Sequence, residues 1–186
     1  MGTDTPKINL KTIRAAAGLS LTQTADLTGV SKAMLGQIER GESSPTLVTL
    51  WKLAKGFHLP LTAFIEDMTP VTEAPRTLQF DDSLRVQTLF PYDPAFGSES
   101  FLITLEPGQT HVSHPHDAGV VEDIFVTTGE MEVQLGGTWT RYRAGDAVRF
   151  NADQPHSYRN LSDSQTLFHN TLHYSRAIPA PGAKDR

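Results

Sequence analysis

The chain contains no cysteine. Disulfides and thiolate metal sites are therefore excluded, and the composition suits a reducing compartment. Long apolar runs are missing as well. None approaches the roughly 20 residues that a helical membrane span needs, so no membrane partner is expected. The N-terminus has no basic segment followed by an apolar core, so no secretory signal is expected and the location is read as cytoplasmic. There is no internal repeat and no low-complexity tract. A glycine-rich phosphate loop and a defensible Ser-His-Asp order are also lacking, and no catalytic residue is assigned. The net charge over 186 residues is only −5, but that average hides a division. Between residues 7 and 56, Lys7, Lys11, Arg14, Lys32, Arg40, Lys52 and Lys55 face only Asp26, Glu39 and Glu42, seven against three, a balance of +4. The acidity lies later, which points to two halves with different partners.

In the basic half, helical spacing and cap residues mark five short helices within residues 8–67. The first covers 8–17 and is ended by Gly18, and the second covers 21–28 behind Ser20. The third lies between Ser31, placed as an N-cap, and Gly41, placed where the chain must turn left-handed. Its apolar seam is narrow, Leu35 and Ile38 with Val30 just before, and its other face carries Lys32, Ala33, Gly36 and Gln37. A helix with so low and polar an outer face can lie deep in a DNA major groove. The fourth starts at Pro45-Thr46 and repeats Leu47, Leu50, Trp51, Leu53 and Ala54 up to Gly56. A fifth is expected around Leu61, Phe64 and Ile65.

Residues 68–79, with Pro70 and Pro75 and no periodicity, read as a linker. From there to residue 175 the texture is β-rich, with short runs at roughly 8–12-residue spacing that indicate a sandwich or barrel. The runs expected as strands are 86–90, 100–106, 124–128, 130–135, 138–143, 147–150 and 166–173, with Gly136-Gly137 as a hairpin turn. Residues 90–96 read as a loop with exposed aromatics, and 176–186 as a tail. This half holds His111, His114, His116, His156, His169 and His173. On a strand, His114 and His116 would share a face. Three imidazoles and the Glu122 carboxylate would suit a divalent Zn, Fe, Mn, Ni or Cu ion. The alternative is a pocket whose polar groups bind an organic ligand directly. His111, His169 and His173 either face that pocket or are satisfied at the surface.

Residues 8–67 resemble the Cro/C1-type helix-turn-helix domain of the XRE family. The pattern is the stretch 21–40, then Glu39-Arg40-Gly41-Glu42-Ser43-Ser44-Pro45-Thr46, then Leu50-Trp51-Lys52-Leu53-Ala54. Leu21 stands where that family often has a polar residue, and Thr24 where a core leucine is usual. Residues 80–175 resemble a cupin domain. Gly108, His114, His116, Glu122 and Gly129 match its first motif, and Gly145, His156 and Asn160 its second. Five residues separate His116 from Glu122, one more than the family's longer spacing, and Asn151 and Asp153 replace the usual proline and glycine. The resemblance implies an α + β two-domain chain whose C-terminal half is a double-stranded β-helix barrel of the jelly-roll kind. It also implies His114, His116, Glu122 and His156 as ligands of a divalent metal, zinc first, with Fe, Mn or Ni as alternatives.

The whole chain is similar to bacterial XRE-cupin regulators, close to the sulfur-utilisation regulator subgroup. The implied function is a sequence-specific, DNA-binding transcriptional regulator, not an enzyme, whose cupin domain binds a small-molecule effector, a sulfur-containing or other amino acid. Two alternatives are a metal-dependent cupin enzyme fused to a DNA-binding domain and an antitoxin-like DNA-binding module with an inert β-domain. Ser31, Lys32, Ala33, Met34 and Gln37 would face the groove. Thr22, Gln23, Arg40, Ser43 and Thr46 would meet phosphates, unless Arg40 pairs with Glu39 to pin the helix end. One small headpiece buries too little for tight specific binding. A homodimer joined through the β-domains is therefore expected on a palindromic operator, with half-sites about 34 Å apart or a multiple of that.

Overall fold

Cap residues set the helix boundaries. In the computed structural model, which describes residues 7–66, 77–81 and 84–174, the helices are α1 (Leu10–Ala16), α2 (Leu21–Thr28), α3 (Lys32–Glu39) and α4 (Leu47–Phe57). Ser20 caps α2 reciprocally: its hydroxyl accepts from the Gln23 N–H, and Gln23 Oε1 accepts from the Ser20 N–H. Ser31 Oγ accepts from the Met34 N–H at the start of α3, and Thr46 Oγ1 from the Thr49 N–H at the start of α4. At the end of α3, Gly41 stands at φ 68°, with its N–H on Ile38 O and the Glu42 N–H on Gln37 O. That pair of bonds satisfies the last carbonyls of the helix.

Leu10, Ile13, Val30, Leu35, Ile38, Leu47, Leu50, Leu53 and Phe64 make the helical core. Thr24, where a leucine is usual, is fully buried with them. Its hydroxyl donates to Ser20 O, and Thr28 Oγ1 donates to Thr24 O, so neither polar group is left unpaired. Gly56 lets α4 close on the end of α2. A Cβ there would come within 2.7 Å of Thr28 Cγ2 and 3.0 Å of Thr28 Cα. Gly56→Ala is expected to cost ~1–3 kcal/mol by overpacking, against up to ~1 kcal/mol returned by helix propensity. A thermal melt should show a net loss, and a stabilised variant would overturn the close approach.

The fifth helix does not form. Leu61–Phe64 is a single 3-10 turn behind Pro60. The chain leaves it at Ile65 to bridge Ile8, with the Asn9 N–H on Phe64 O and the Glu66 N–H on Lys7 O. Pairing with the segment before α1 thus takes the backbone groups that a further helical turn would need.

The β half contains β1 (Thr77–Asp81), β2 (Leu84–Asp93), β3 (Ser98–Leu105), β4 (Thr110–Ser113), β5 (Val121–Thr128), β6 (Glu130–Leu135), β7 (Thr138–Arg143), β8 (Ala147–Asn151), β9 (His156–Arg159) and β10 (Thr166–His173). β1 begins inside the stretch expected as a linker. Residues 68–76 of that stretch and the expected tail at 176–186 lie outside the described residues. The strands form two antiparallel sheets, ordered β1-β2-β3-β10-β5-β8 and β4-β9-β6-β7. The closed barrel implied by the resemblance is absent among the described residues: β8 pairs only with β5 and β7 only with β6. The chain passes from one sheet to the other at the Gly145 corner (φ 94°) instead of continuing a ladder. Gly136 and Gly137, both at positive φ, make the β6–β7 turn as expected. β2 runs to Asp93, further than expected, yet Phe90 and Phe96 are exposed as anticipated.

The two halves are bonded to each other. Glu99 on β3, fully buried, accepts from the N–H groups of Leu61 and Thr62, from Thr62 Oγ1 and from the Tyr174 hydroxyl. Thr62 Oγ1 in turn accepts from the Tyr92 N–H. Lys55 Nζ donates to Pro115 O at 2.8 Å, and His58 Nδ1 lies 2.7 Å from Asp117 Oδ2.

Candidate functional site

Strand alternation aims a polar group into the sandwich. On β5 the odd-even pattern buries Glu122 and Ile124 and turns Asp123 outward. His156 and Tyr158 on β9 point to the same interior, and His116 enters from the loop after β4. Glu122 Oε1 lies 2.7 Å from His116 Nε2 and 3.3 Å from His156 Nε2. Its other oxygen accepts from the Tyr158 hydroxyl at 2.6 Å and from Asn170 Nδ2 at 3.0 Å. Burial alone would raise the Glu122 carboxyl, but the hydrogen bonds and charges of His116 and His156 outweigh it and hold the group far below the usual carboxylate range. Burial pulls the His156 imidazole down, while the adjoining Glu122 carboxylate and the Gln154 carbonyl outweigh that and raise it. Burial and the Glu122 charge push the Tyr158 phenol well up, so it stays a donor.

His116, Glu122 and His156 each offer a ligand atom, all within 4.8 Å of one another. His156 Nδ1 lies 2.8 Å from Gln154 O. A proton held there leaves the lone pair of Nε2 aimed into the cluster, the arrangement usual for a metal-binding imidazole. That Nε2 is buried, and its one polar neighbour of opposite charge is Glu122 Oε1 at 3.3 Å, too poorly aligned for a full hydrogen bond. Two imidazoles and a carboxylate braced by a phenol and an amide thus fit a divalent ion such as Zn, Fe, Mn or Ni.

His114, the fourth expected ligand, is not brought to this cluster. β4 buries His111 and Ser113, and His114 follows with the opposite parity and is exposed. His111 proves interior, stacked on Tyr158 with centroids 6.1 Å apart and planes 10° apart. His169 is exposed, and His173 pairs with Asp123 beside Arg149 at the surface. Asn160 acts on the loop, donating to Leu105 O and Ser164 O and accepting from the N–H and the hydroxyl of Ser162. The sequence reading missed Tyr158 and Asn170. Tyr158 was within reach, because it lies two residues after His156 on one strand face.

The helical half closes over this interior. Leu47, Trp51 and Leu61 line it together with His116, Glu122 and Tyr158, and the free volume is only about 20 Å³. That is room for one water or one ion. The Trp51 ring meets His116 edge-on at 4.4 Å.

In the helical half, α3 presents Ser31, Lys32, Ala33 and Gln37 to solvent and Met34 in part, while Leu35 and Ile38 are buried. Gly36, expected on the open face, is buried too, and a Cβ there would stand 3.1 Å from Arg40 Nη1. The Glu39–Arg40 pair, the alternative to a phosphate contact by Arg40, does not form. Glu39 takes Arg14 in two hydrogen bonds, of 2.6 and 3.0 Å, and Arg40 takes Glu42 in two of 2.7 Å. Thr22, Gln23, Arg40 and Thr46 are exposed and Ser43 is half-buried, its hydroxyl 4.0 Å from Met34 Sδ.

Residues 10–64 match a helix-turn-helix family model and residues 101–171 a cupin-domain model. The chain is 42% identical over 171 residues to the HTH-type transcriptional regulator SutR of Escherichia coli (strain K12), covering 90% of this chain and 94% of SutR. It is 27% identical to the HTH-type transcriptional regulator PuuR of the same organism, over 84% of this chain and 88% of PuuR. Among solved structures it matches an HTH_3 family transcriptional regulator from Vibrio cholerae, 44% identical, with a TM-score of 0.81 over 90% of this chain and 93% of the other.

Proposed function

This chain belongs to the XRE-type helix-turn-helix transcriptional regulators that carry a cupin domain, and on that premise we propose that it binds an operator through α3 and answers to a small molecule held by its β half. The relatives SutR and PuuR and the Vibrio cholerae protein are named transcriptional regulators. One observation carries the proposal. His116 touches Glu122 on one side and Trp51 of the helical half on the other. An event at the cluster is therefore one side chain away from the DNA-binding half.

At the operator, Gln37 pairs bidentately with an adenine, Lys32 takes a guanine or a phosphate, and Ala33 or Met34 meets a thymine methyl. Ser31 lies at the mouth of the same helix. Thr22, Gln23, Ser43 and Thr46 take phosphates, as does Arg40, sharing its guanidinium with Glu42. The protein acts as a cytoplasmic homodimer on a palindromic site. His116, Glu122 and His156 would hold a divalent metal, zinc first, which would supply a Lewis-acidic anchor for an electron-pair donor. Tyr158 and Asn170 fix the carboxylate and Gln154 O fixes the His156 ring. The effector is a sulfur-containing or other amino acid.

Selection of operators from a random pool tests the DNA side. Gln37→Ala should relax base preference at one position per half-site, a loss of ~1–3 kcal/mol in discrimination. Unchanged selectivity would remove Gln37 from the groove. Elemental analysis of protein purified without chelator tests the metal: bound metal in wild type should disappear in His156→Ala, and equal metal in both would refute the ligand set.

A further inference from the structure

A second cavity lies beside the interior cluster, on the far side of the His116 ring. It is a cleft of about 480 Å³ between α4 and the loop that leads from β4 to β5. Its size falls in the range usual for small-molecule sites, whereas the sandwich interior has room for one ion or water. Leu59, Val120, Trp51 and Tyr174 give it apolar walls, and Lys52 and His114 add polar heads from opposite halves.

The cleft is braced. Lys55 reaches across to Pro115 O, and His58 reaches Asp117. His58 stands at φ 52°, the one positive φ outside glycine among the described residues. It is the left-handed C-cap of α4, which ends the helix at the edge of the cleft and sets the His58 ring beside Asp117. With Lys55 and His58 so engaged, Asp117 is already paired. Lys52 and His114 have no hydrogen-bond or ion partner among the described residues.

We propose that this cleft binds a small carboxylate bearing a short apolar chain, with Lys52 and His114 taking the carboxylate and Leu59 and Val120 taking the chain. His114, which strand parity turns away from the metal cluster, thereby acquires a role. Such a ligand touches α4 and the β half at once, so it favours one placement of the DNA-binding half over another. That regulatory consequence rests on the function proposed above; the binding itself does not.

The experiment uses the full-length chain carrying Trp139→Phe, which leaves Trp51 as its single tryptophan. Trp51 fluorescence is followed on titration with acetate, propionate, butyrate and valerate, and with alkylamines of the same lengths. The carboxylates should give saturable changes that tighten roughly two- to fourfold per methylene, and the amines none. Lys52→Gln and His114→Gln should each weaken butyrate by about tenfold, while His114→Gln keeps the wild-type metal content. His114 is exposed and Lys52 is only half-buried, so both variants should fold, which a thermal melt checks. No saturable response to any carboxylate, equal binding of amines, or unchanged affinity in both variants would overturn the proposal. Operator binding measured separately keeps the two readings apart: a chain that binds butyrate but no DNA refutes the regulator and not the cleft.

Discussion

Glu99→Ala is expected to destabilise the chain by about 3–5 kcal/mol, because it strips four buried donors of one acceptor. Those donors are the Leu61 and Thr62 N–H groups, Thr62 Oγ1 and the Tyr174 hydroxyl. The loss is less than the sum of four single bonds, since the shortened side chain leaves space that water can enter. For a chain of this size it corresponds to a fall in Tm of roughly 6–20 °C. The same variant should speed hydrogen exchange at the Leu61 and Thr62 amides, which separates local release of the helical half from general softening. Glu99→Gln keeps one acceptor oxygen and should lie between the two. The pH dependence has a definite sign. Burial raises the Glu99 carboxyl above its ordinary value, against the pull of the Tyr174, Thr62 and Leu61 donors. The folded chain therefore binds this proton more tightly than the unfolded one. The resulting stability is full below the unfolded pKa of about 4.3 and is lost as pH rises through the raised folded pKa. Glu99→Gln has no such slope, so its deficit relative to wild type should shrink with rising pH across that window. A deficit that grows instead would mean that the carboxylate, and not the acid, is the form the fold prefers.

What could be read from sequence was what is decided locally. Ser31 and Gly41 bracket α3 because a cap hydroxyl and a left-handed glycine act within one turn. Gly136-Gly137 makes its hairpin for the same reason. Glu122 and His156 were legible because each stands at its expected place in one of the two motifs, and the extra residue before Glu122 is taken up in the loop before β5. Non-local decisions were not legible. The parity of His114 depends on where β4 stops, and that is set by pairing of Ser113 with His156, forty-odd residues away in the chain. β4 and β9 are four residues each and too polar to stand out as strands alone. The fifth helix failed for the same kind of reason, since Ile65 was claimed by Ile8 at the other end of the helical half. Glu99 on its strand reads as an ordinary surface carboxylate until the 3-10 turn at Leu61–Phe64 is laid on it.

Glu122→Ala should be the most damaging single change in the β half. Glu122 is the common acceptor of Tyr158, Asn170 and His116, and it faces His156 as well. Removing it leaves two buried imidazoles without their counter-charge and a phenol and an amide without their acceptor, a loss of about 3–5 kcal/mol. The interior is already nearly filled, with about 20 Å³ free, so it cannot relax by admitting several waters. Glu122→Gln separates structure from ligation. The amide oxygen can still accept from Tyr158 or Asn170, so the neutral variant should recover part of the stability. It should not recover bound metal, because a carboxamide is a poor ligand for an ion otherwise held by two neutral imidazoles. Thermal melting with and without added zinc reads both effects together. Wild type should gain Tm on adding zinc, Glu122→Gln should melt well above Glu122→Ala and gain nothing, and His114→Gln should respond to zinc as wild type does. A zinc response in Glu122→Gln equal to that of wild type would remove Glu122 from the ligand set and leave it as the brace of His116, and through His116 of Trp51.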